Sequence, residues 1–367
     1  MKREILRFLN RQSQGTAIQR QLHRFRMLSG AKVKLVSVAK NESAYLAEWI
    51  FHHLYFGFDN IEVHTNHCTD DTYRLLRGFD EPRITVIDAD AVFQDSADSP
   101  QIKVYRNAFH RARSEGYSHV MFLDIDEFWT PANFRETIAQ WVSRHHIYDA
   151  ICFNWINKTD EAEPFSSVFK ESTVEYEPSE HVKTVYKSFV VPTTMNPHNV
   201  VDTNLRYGRD NGACFEPFNE HYSRTKPLSK SLTHERAFIV HRKYRSEKEY
   251  ISMLGRGRPI GSISKTSSFK DNRHGYIDHK PKKQYRFGEE EFSRYRAYLD
   301  ERLHKIPTIN HMKNGQKFVE NRYETVLKRI AEAPISEHST LNRLLKNVID
   351  PKALTAFDHF KSRHSIK

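Results

Sequence analysis

Cysteine is scarce in this chain, with three in 367 residues. Cys68, Cys152 and Cys214 lie far apart and form no C-x-x-C pair. Neither a zinc cage nor a disulfide framework is indicated, and a reducing cytoplasm is the expected compartment. Long apolar runs are missing too. None approaches the roughly 18–20 residues that a spanning helix needs, and the first residues lack the apolar core of a secretory signal. A phosphate-binding glycine loop is absent, in both its G-x-G-x-x-G and its Walker form. That argues against a nicotinamide dehydrogenase and a P-loop kinase. No G-x-S-x-G elbow and no H-E-x-x-H pair occurs, which removes two common hydrolase readings.

What is present supports a globular chain. Hydrophobic residues make up 38% of the chain, with 24 Phe and 17 Tyr, enough for a sizeable core. The net charge is +11, which suits phosphorylated substrates, anionic lipid or nucleic acid. Residues 1–34 carry nine Lys or Arg against the single acid Glu4, interleaved with Ile5, Leu6, Phe8, Leu9, Leu22 and Phe25. Such a segment either lies on an anionic membrane surface or packs on the body with a solvated basic face. The expected organisation is a basic segment over 1–30, a sheet domain over 31–260, and a charged, mainly helical extension over 261–367.

Within the sheet domain, strands and helices alternate. Lys34–Ala39 is a short apolar strand, followed by a helix in which Leu46, Trp49, Ile50, His53 and Leu54 recur at helical spacing. Further strands are expected at Asn60–Thr65, Ile84–Asp88 and His119–Leu123, with a helix over about Ser99–Glu115 before the last. Ala237–Val240 is another, running into His241. Ser246 and Glu249 match a capping box, so a helix starts there and ends near Gly255. The alternation predicts an α/β fold, a mostly parallel sheet flanked by helices, and ligands of such sheets gather at the carboxyl ends of the strands. Three polar clusters fall there: Lys40-Asn41-Glu42, Asn66 to Asp71, and Asp124-Ile125-Asp126. In an extended segment, residues two apart point the same way, so Asp124 and Asp126 are expected to converge. Paired carboxylates with substrate phosphates are how proteins usually hold Mg²⁺ or Mn²⁺.

Several motifs together resemble glycosyltransferases of the GT-A fold, in the family-2-like and family-92-like group. They are Val38-Ala39-Lys40-Asn41-Glu42 with Tyr45 to Ile50 and His53; Gly57-Phe58-Asp59 through Asn66 with Thr69 to Thr72; Phe122 to Phe128; and His241 with Arg245 to Tyr250. Lys187 to Pro192 with His198 looks like a fifth. The resemblance spans about residues 33–258. It implies a Rossmann-like GT-A sheet, a nucleotide-sugar donor, most often a UDP-sugar, and a divalent cation, Mn²⁺ or Mg²⁺. Asp124, Asp126 and His241 fall where the family binds metal or diphosphate. Asn41, Glu42, Asn66 and Asp70 fall where it holds the nucleoside, and Lys187 is placed to approach a phosphate. The acceptor is expected to be a glycan or lipid-linked hydroxyl in surface polysaccharide or glycan synthesis, with no nucleic acid partner. Thr65, Arg242 and Lys158-Thr159 depart from the usual pattern.

An inverting transfer needs a general base. Of the carboxylates beyond the D-x-D, Glu216 and Asp160 are favoured. Two other activities compete. A nucleotidyltransferase shares strand-end carboxylates but lacks support from a glycine-rich basic loop. A non-catalytic basic module binding nucleic acid or anionic lipid would bind in a salt-sensitive, metal-independent way.

Overall fold

A computed structural model describes residues 30–94, 99–225, 236–256, 267–277, 282–305 and 308–366. The basic segment expected over 1–30 lies almost wholly outside the described residues. β1 (Val33–Ala39), β2 (Asn60–Thr65), β3 (Ile84–Asp88) and β4 (His119–Phe122) form one half of the sheet. They pair in parallel, in the order β3-β2-β1-β4. The helices between them are α1 (Leu46–Tyr55), α2 (Thr72–Arg77), α3 (Asp90–Gln94) and α4 (Pro100–Ser114). β1 is buried almost throughout because helices cover both of its faces. Even its Lys34 is buried, with its ammonium 2.9 Å from Glu62.

The other half is mixed. β5 (Glu127–Pro131) leads through α5 (Ile138–Arg144) to β6 (Ala150–Lys158) and the long β7 (Thr173–Lys187). β7 runs antiparallel between β4 and β6 and joins the two halves. The short strands β8 (Thr194–Met195) and β9 (Val200–Val201) pair with each other, and β10 (Tyr207–Arg209) adds to β6. β11 (Ala237–His241) lies parallel to β6 and antiparallel to β5. Residues 196–225 thus contain two short strands, held by Asn199 and Tyr207 through bonds to backbone carbonyls.

α6 (Glu247–Leu254) begins at the expected capping box, with Ser246 Oγ accepting from the Glu249 amide, and stops at Gly255. Beyond it, the chain is not an appendage. β12 (Lys283–Arg286) pairs with β7, and α7 (Glu289–Leu303) packs Phe292, Tyr295 and Leu299 into the same core as Trp49, Trp129 and Trp141. Burying each such large side chain contributes about 1.5–3 kcal/mol. This explains why α1 is buried nearly all round: the sheet covers one side and α7 the other. α8 (Thr308–Glu332) spans two cores, with Val319 in the first and Tyr323, Val326 and Ile330 in a second shared with α6, α9 (His338–Leu344) and α10 (Pro351–Arg363). The boundary expected at 260 lies outside the described residues, and the described elements on both sides of it share these two cores.

Candidate active site

β1, β2, β4, β6 and β11 all point their carboxyl ends at one rim. The turns leaving β1 and β2 are stapled to each other there. Asn41, at φ +56°, accepts from the Thr69 amide at 2.7 Å and donates to Thr69 Oγ1 at 3.1 Å. Asp70 accepts from the Ser43 amide and hydroxyl at 3.0 and 2.6 Å and from the Thr72 amide at 2.9 Å. Asn66 is buried against its neighbour His67, with Oδ1 2.7 Å from Nδ1. The structure thus brings Asn41, Asn66 and Asp70 together and uses Asn41 and Asp70 to shape the rim. α8 supports it from behind: His311 and Asn314 bond Asp71 Oδ2 at 3.0 and 2.6 Å.

The two aspartates have different partners. The strand stops at Phe122, and the Glu127 amide donates to the Asp124 carbonyl at 3.0 Å, so Asp124 to Glu127 is a tight turn rather than an extended segment. Asp124 turns toward β7. Its Oδ2 accepts from Lys183 Nζ at 3.1 Å and its Oδ1 from Gln101 Nε2 at 3.3 Å. Lys183, itself buried, also lies 2.9 Å from Glu127. Asp126 places Oδ2 3.8 Å from His241 Nε2. Burial would raise the Asp126 carboxyl, but His241 in its charged form, Arg245 and Arg273 outweigh it and hold it well below the usual carboxylate range.

His241 Nδ1 lies 3.0 Å from Asn157 Oδ1, an acceptor, so Nδ1 carries a proton; in the neutral ring the Nε2 lone pair faces Asp126, and in the charged ring Nε2–H does. Burial pushes the His241 ring below its ordinary pKa, against the pull of Asp126. Two lone-pair donors facing each other beyond hydrogen-bonding distance, with the histidine oriented by an amide, suit one side of a divalent cation. Among the described residues no group of three or more His, Cys, Asp and Glu forms a ready-made cage. Of the expected trio, Asp126 and His241 face each other, while Asp124 is held by Lys183 and Gln101.

Cations gather around Asp126 and Glu42. Glu42 is buried, with Arg256 at 2.5 Å and Arg245 at 3.6 Å. Arg245 adopts φ +57° and sets its guanidinium 3.6 Å from the centre of the Tyr45 ring. Lys270 and Arg273 come from the segment that follows α6, where the Lys270 amide donates to the Leu254 carbonyl at 2.8 Å. Lys270 feels both Asp126 and Glu42, yet burial, together with Arg273 and Arg256, pushes its ammonium down to about 7. Arg273 Nε is buried without a hydrogen-bond partner.

Three expected residues are placed elsewhere. Lys187 pairs with His119 at the start of β4 and binds Asp149 and the His146 carbonyl, at the opposite rim. It lies four residues from Lys183 on the same face, about 13 Å along a strand. Asp160 is exposed, ion-pairs with Lys158 and accepts from the Glu175 amide at 3.0 Å. Glu216 is exposed on the loop between β10 and β11. Sequence reasoning missed Lys183, Gln101, Asn157, Arg256, Lys270 and Arg273. Only Lys183 carried a local signal, a lysine inside the buried run Val182 to Tyr186.

Residues 36–284 match the sequence model of glycosyltransferase family 92. The chain belongs to that family. The match ends inside β12, so the family's domain includes the strand that closes on β7. No curated protein sequence matches the chain. Among solved structures, HddC from Yersinia pseudotuberculosis is similar at 7% identity and a TM-score of 0.31, over 57% of this chain and 92% of that one. Mannose-1-phosphate geranyltransferase from Thermus thermophilus is similar at 10% identity and a TM-score of 0.26, over 43% of this chain and 58% of that one. This family 92 glycosyltransferase has the expected α/β architecture, a sheet flanked by helices, with its polar rim at the carboxyl ends of the strands.

Proposed function

We propose that the enzyme moves a sugar from a nucleoside-diphosphate donor, first of all a UDP-sugar, to a hydroxyl of a glycan or lipid-linked acceptor in surface polysaccharide or glycan synthesis. One observation carries the reading. Asp126 and Glu42 meet Arg245, Arg256, Lys270 and Arg273 at one rim, so cations outnumber carboxylates where a diphosphate would lie. The stapled turns at Asn41, Asn66 and Asp70 offer the adjoining wall for the nucleoside. Asp126 and His241 would hold a Mn²⁺ or Mg²⁺ ion, which when bound neutralises charge on the leaving diphosphate. Lys183 keeps Asp124 turned toward β7, and Asn157 holds the His241 proton on Nδ1. The basic segment 1–30 belongs to the same reading, as a peripheral contact with an anionic membrane.

The test is thermal melting with UDP-glucose, UDP-galactose and UDP-N-acetylglucosamine, each with and without Mn²⁺. A donor present at about a hundred times its Kd stabilises by about 2.7 kcal/mol. Asp126→Asn, which should melt somewhat lower than the parent without ligand because it strands the cations around it, should lose the Mn²⁺-dependent part of the shift measured against its own ligand-free melt. If no nucleotide sugar raises the melting temperature of the parent, the donor reading is wrong. An undiminished Mn²⁺ effect in the variant removes Asp126 from the metal.

A further inference from the structure

Beyond His241 the rim continues as a row of side chains across three strands. His241 on β11 is in register with Asn157 on β6, and Asn157 with Glu177 on β7. Residues paired in this way point to one face of a sheet. The contact between His241 Nδ1 and Asn157 Oδ1 identifies that face. His241 thus meets Asp126 through Nε2 and this row through Nδ1. With strands about 4.8 Å apart, Glu177 stands about 10 Å from His241.

Glu177 does not stand alone. Tyr244 donates its hydroxyl proton to Glu177 Oε2 at 3.2 Å, and Lys282, just before β12, ion-pairs with Oε1. Lys243 Nζ donates to the Tyr244 hydroxyl at 3.0 Å and has no carboxylate within 4 Å among the described residues. Lys282 balances Glu177, which leaves the charge of Lys243 in surplus. Arg273 adds to it. Arg273 acts electrostatically on Lys243 and Tyr244 here, and on His241, Asp126 and Lys270 on the donor side. The two sides have different acids: Lys270 lies in the fields of Asp126 and Glu42, Lys243 in that of Glu177. Neither Lys243 nor Tyr244 nor Glu177 bonds to the turns stapled by Asn41 and Asp70. Lys243, Glu177 and Lys282 are partly open to solvent.

We propose that Lys243, Tyr244, Lys282 and Glu177 form the acceptor subsite, and that its acceptor is an acidic sugar, one bearing a carboxylate or a phosphate. This rests on the nucleotide-sugar reading above. The nucleoside and diphosphate fill the rim from the stapled turns to Asp126. The acceptor approaches from the other flank of His241, where this row stands. Lys243 and Arg273, close together without an acid between them, repel each other, and an anion placed there turns the repulsion into attraction. Lys243 Nζ, with one proton directed at Tyr244, has two N–H bonds left for that anion. Glu177 keeps lone pairs for a sugar hydroxyl, so the subsite recognises a charge and a hydroxyl together. A neutral sugar would leave Lys243 unpaired.

Calorimetry tests this. Glucose, glucuronate and glucose 6-phosphate are titrated into the parent saturated with UDP and Mn²⁺, so that the donor's cations are already occupied. At least one acidic sugar should bind at least about tenfold more tightly than glucose, the usual size of a hydrogen bond to a charged group. A preference for glucuronate alone assigns the anion as a carboxylate, for glucose 6-phosphate alone as a phosphate, and for both as either. Lys243→Gln should bring the acidic sugars within about threefold of glucose while the Kd for UDP stays within about threefold of the parent's, because the charge lost faces only the acceptor. Lys243→Arg should restore the preference, which guards against a folding defect in the glutamine variant. Equal binding of acidic and neutral sugars by the parent overturns the proposal, and so does the absence of any sugar binding. A preference that survives Lys243→Gln, or an acidic sugar that displaces UDP, overturns it as well. Failure of UDP itself to bind the parent instead removes the donor reading, and the subsite falls with it.

Discussion

A single side chain, Lys183, decides how the acidic turn after β4 is arranged. It is buried between Asp124 and Glu127, and those acids, outweighing burial, hold its ammonium above the ordinary lysine range. Burial pushes the Glu127 carboxyl well up, with Asp124 and Asp126 adding to it and Lys183 opposing. Lys183→Met should therefore destabilise the fold by about 3–5 kcal/mol near neutral pH, the usual effect of stranding a buried charge. The sign with pH follows from Glu127. A carboxyl raised in the folded state binds its proton more tightly there than in the unfolded chain. Stability then falls as pH rises above the unfolded value of about 4.3. The loss should be smaller near pH 5 than near pH 8, as urea unfolding at the two values will show. An equal loss at both would mean that Glu127 is not the stranded group. The sequence pointed to Lys187 instead. Alternation along a strand identifies a face, and Lys183 and Lys187 share one, but it does not say which end of the strand meets the ligand. That was set by the antiparallel pairing of β7 with β4, which no local pattern reveals.

At the level of elements, the parallel strands were legible because each is an apolar run closed by polar residues, and α6 because its capping box is local. β12 was not, since Lys283–Arg286 has no apolar alternation and becomes a strand only through β7. The approach of α8 to the rim was equally hidden. Gly315 sits so close to the turn after β1 that an added Cβ would collide with Ser43 Oγ and the Ala44 amide nitrogen. A backbone neighbour cannot rotate away. Gly315→Val should force α8 outward, costing about 1–3 kcal/mol as overpacking usually does. It should also weaken donor binding by displacing the turn that Asn41 and Asp70 staple. Chemical denaturation and calorimetry with a UDP-sugar read the two effects. Full stability and unchanged affinity would show that the helix yields freely and does not support the site.

Across the whole molecule, the charge of +11 could be counted from the sequence, but its concentration at the rim could not. Arg256, Lys270 and Arg273 lie far along the chain from Glu42 and Asp126 and reach them only because the segment after α6 folds back along that helix. Mutual repulsion there has a consequence for binding. Lys270, brought down to about 7 by burial, Arg273 and Arg256, is partly neutral at physiological pH. A bound anion favours the charged ammonium, so it must raise that pKa and draw in a proton. UDP, used as the probe, should bind more tightly as pH falls from 9 to 6. The gain should approach about tenfold for each unit by which the anion raises the Lys270 pKa. Calorimetry near pH 8 in buffers of different ionisation enthalpy should register net proton uptake. Lys270→Arg, charged at every pH in this range, should abolish most of the uptake while keeping the affinity. Since the UDP phosphate also titrates near 6, the measurement that matters is the difference between parent and variant. Identical uptake in the two would place the titrating group elsewhere and remove Lys270 from the anion's surroundings.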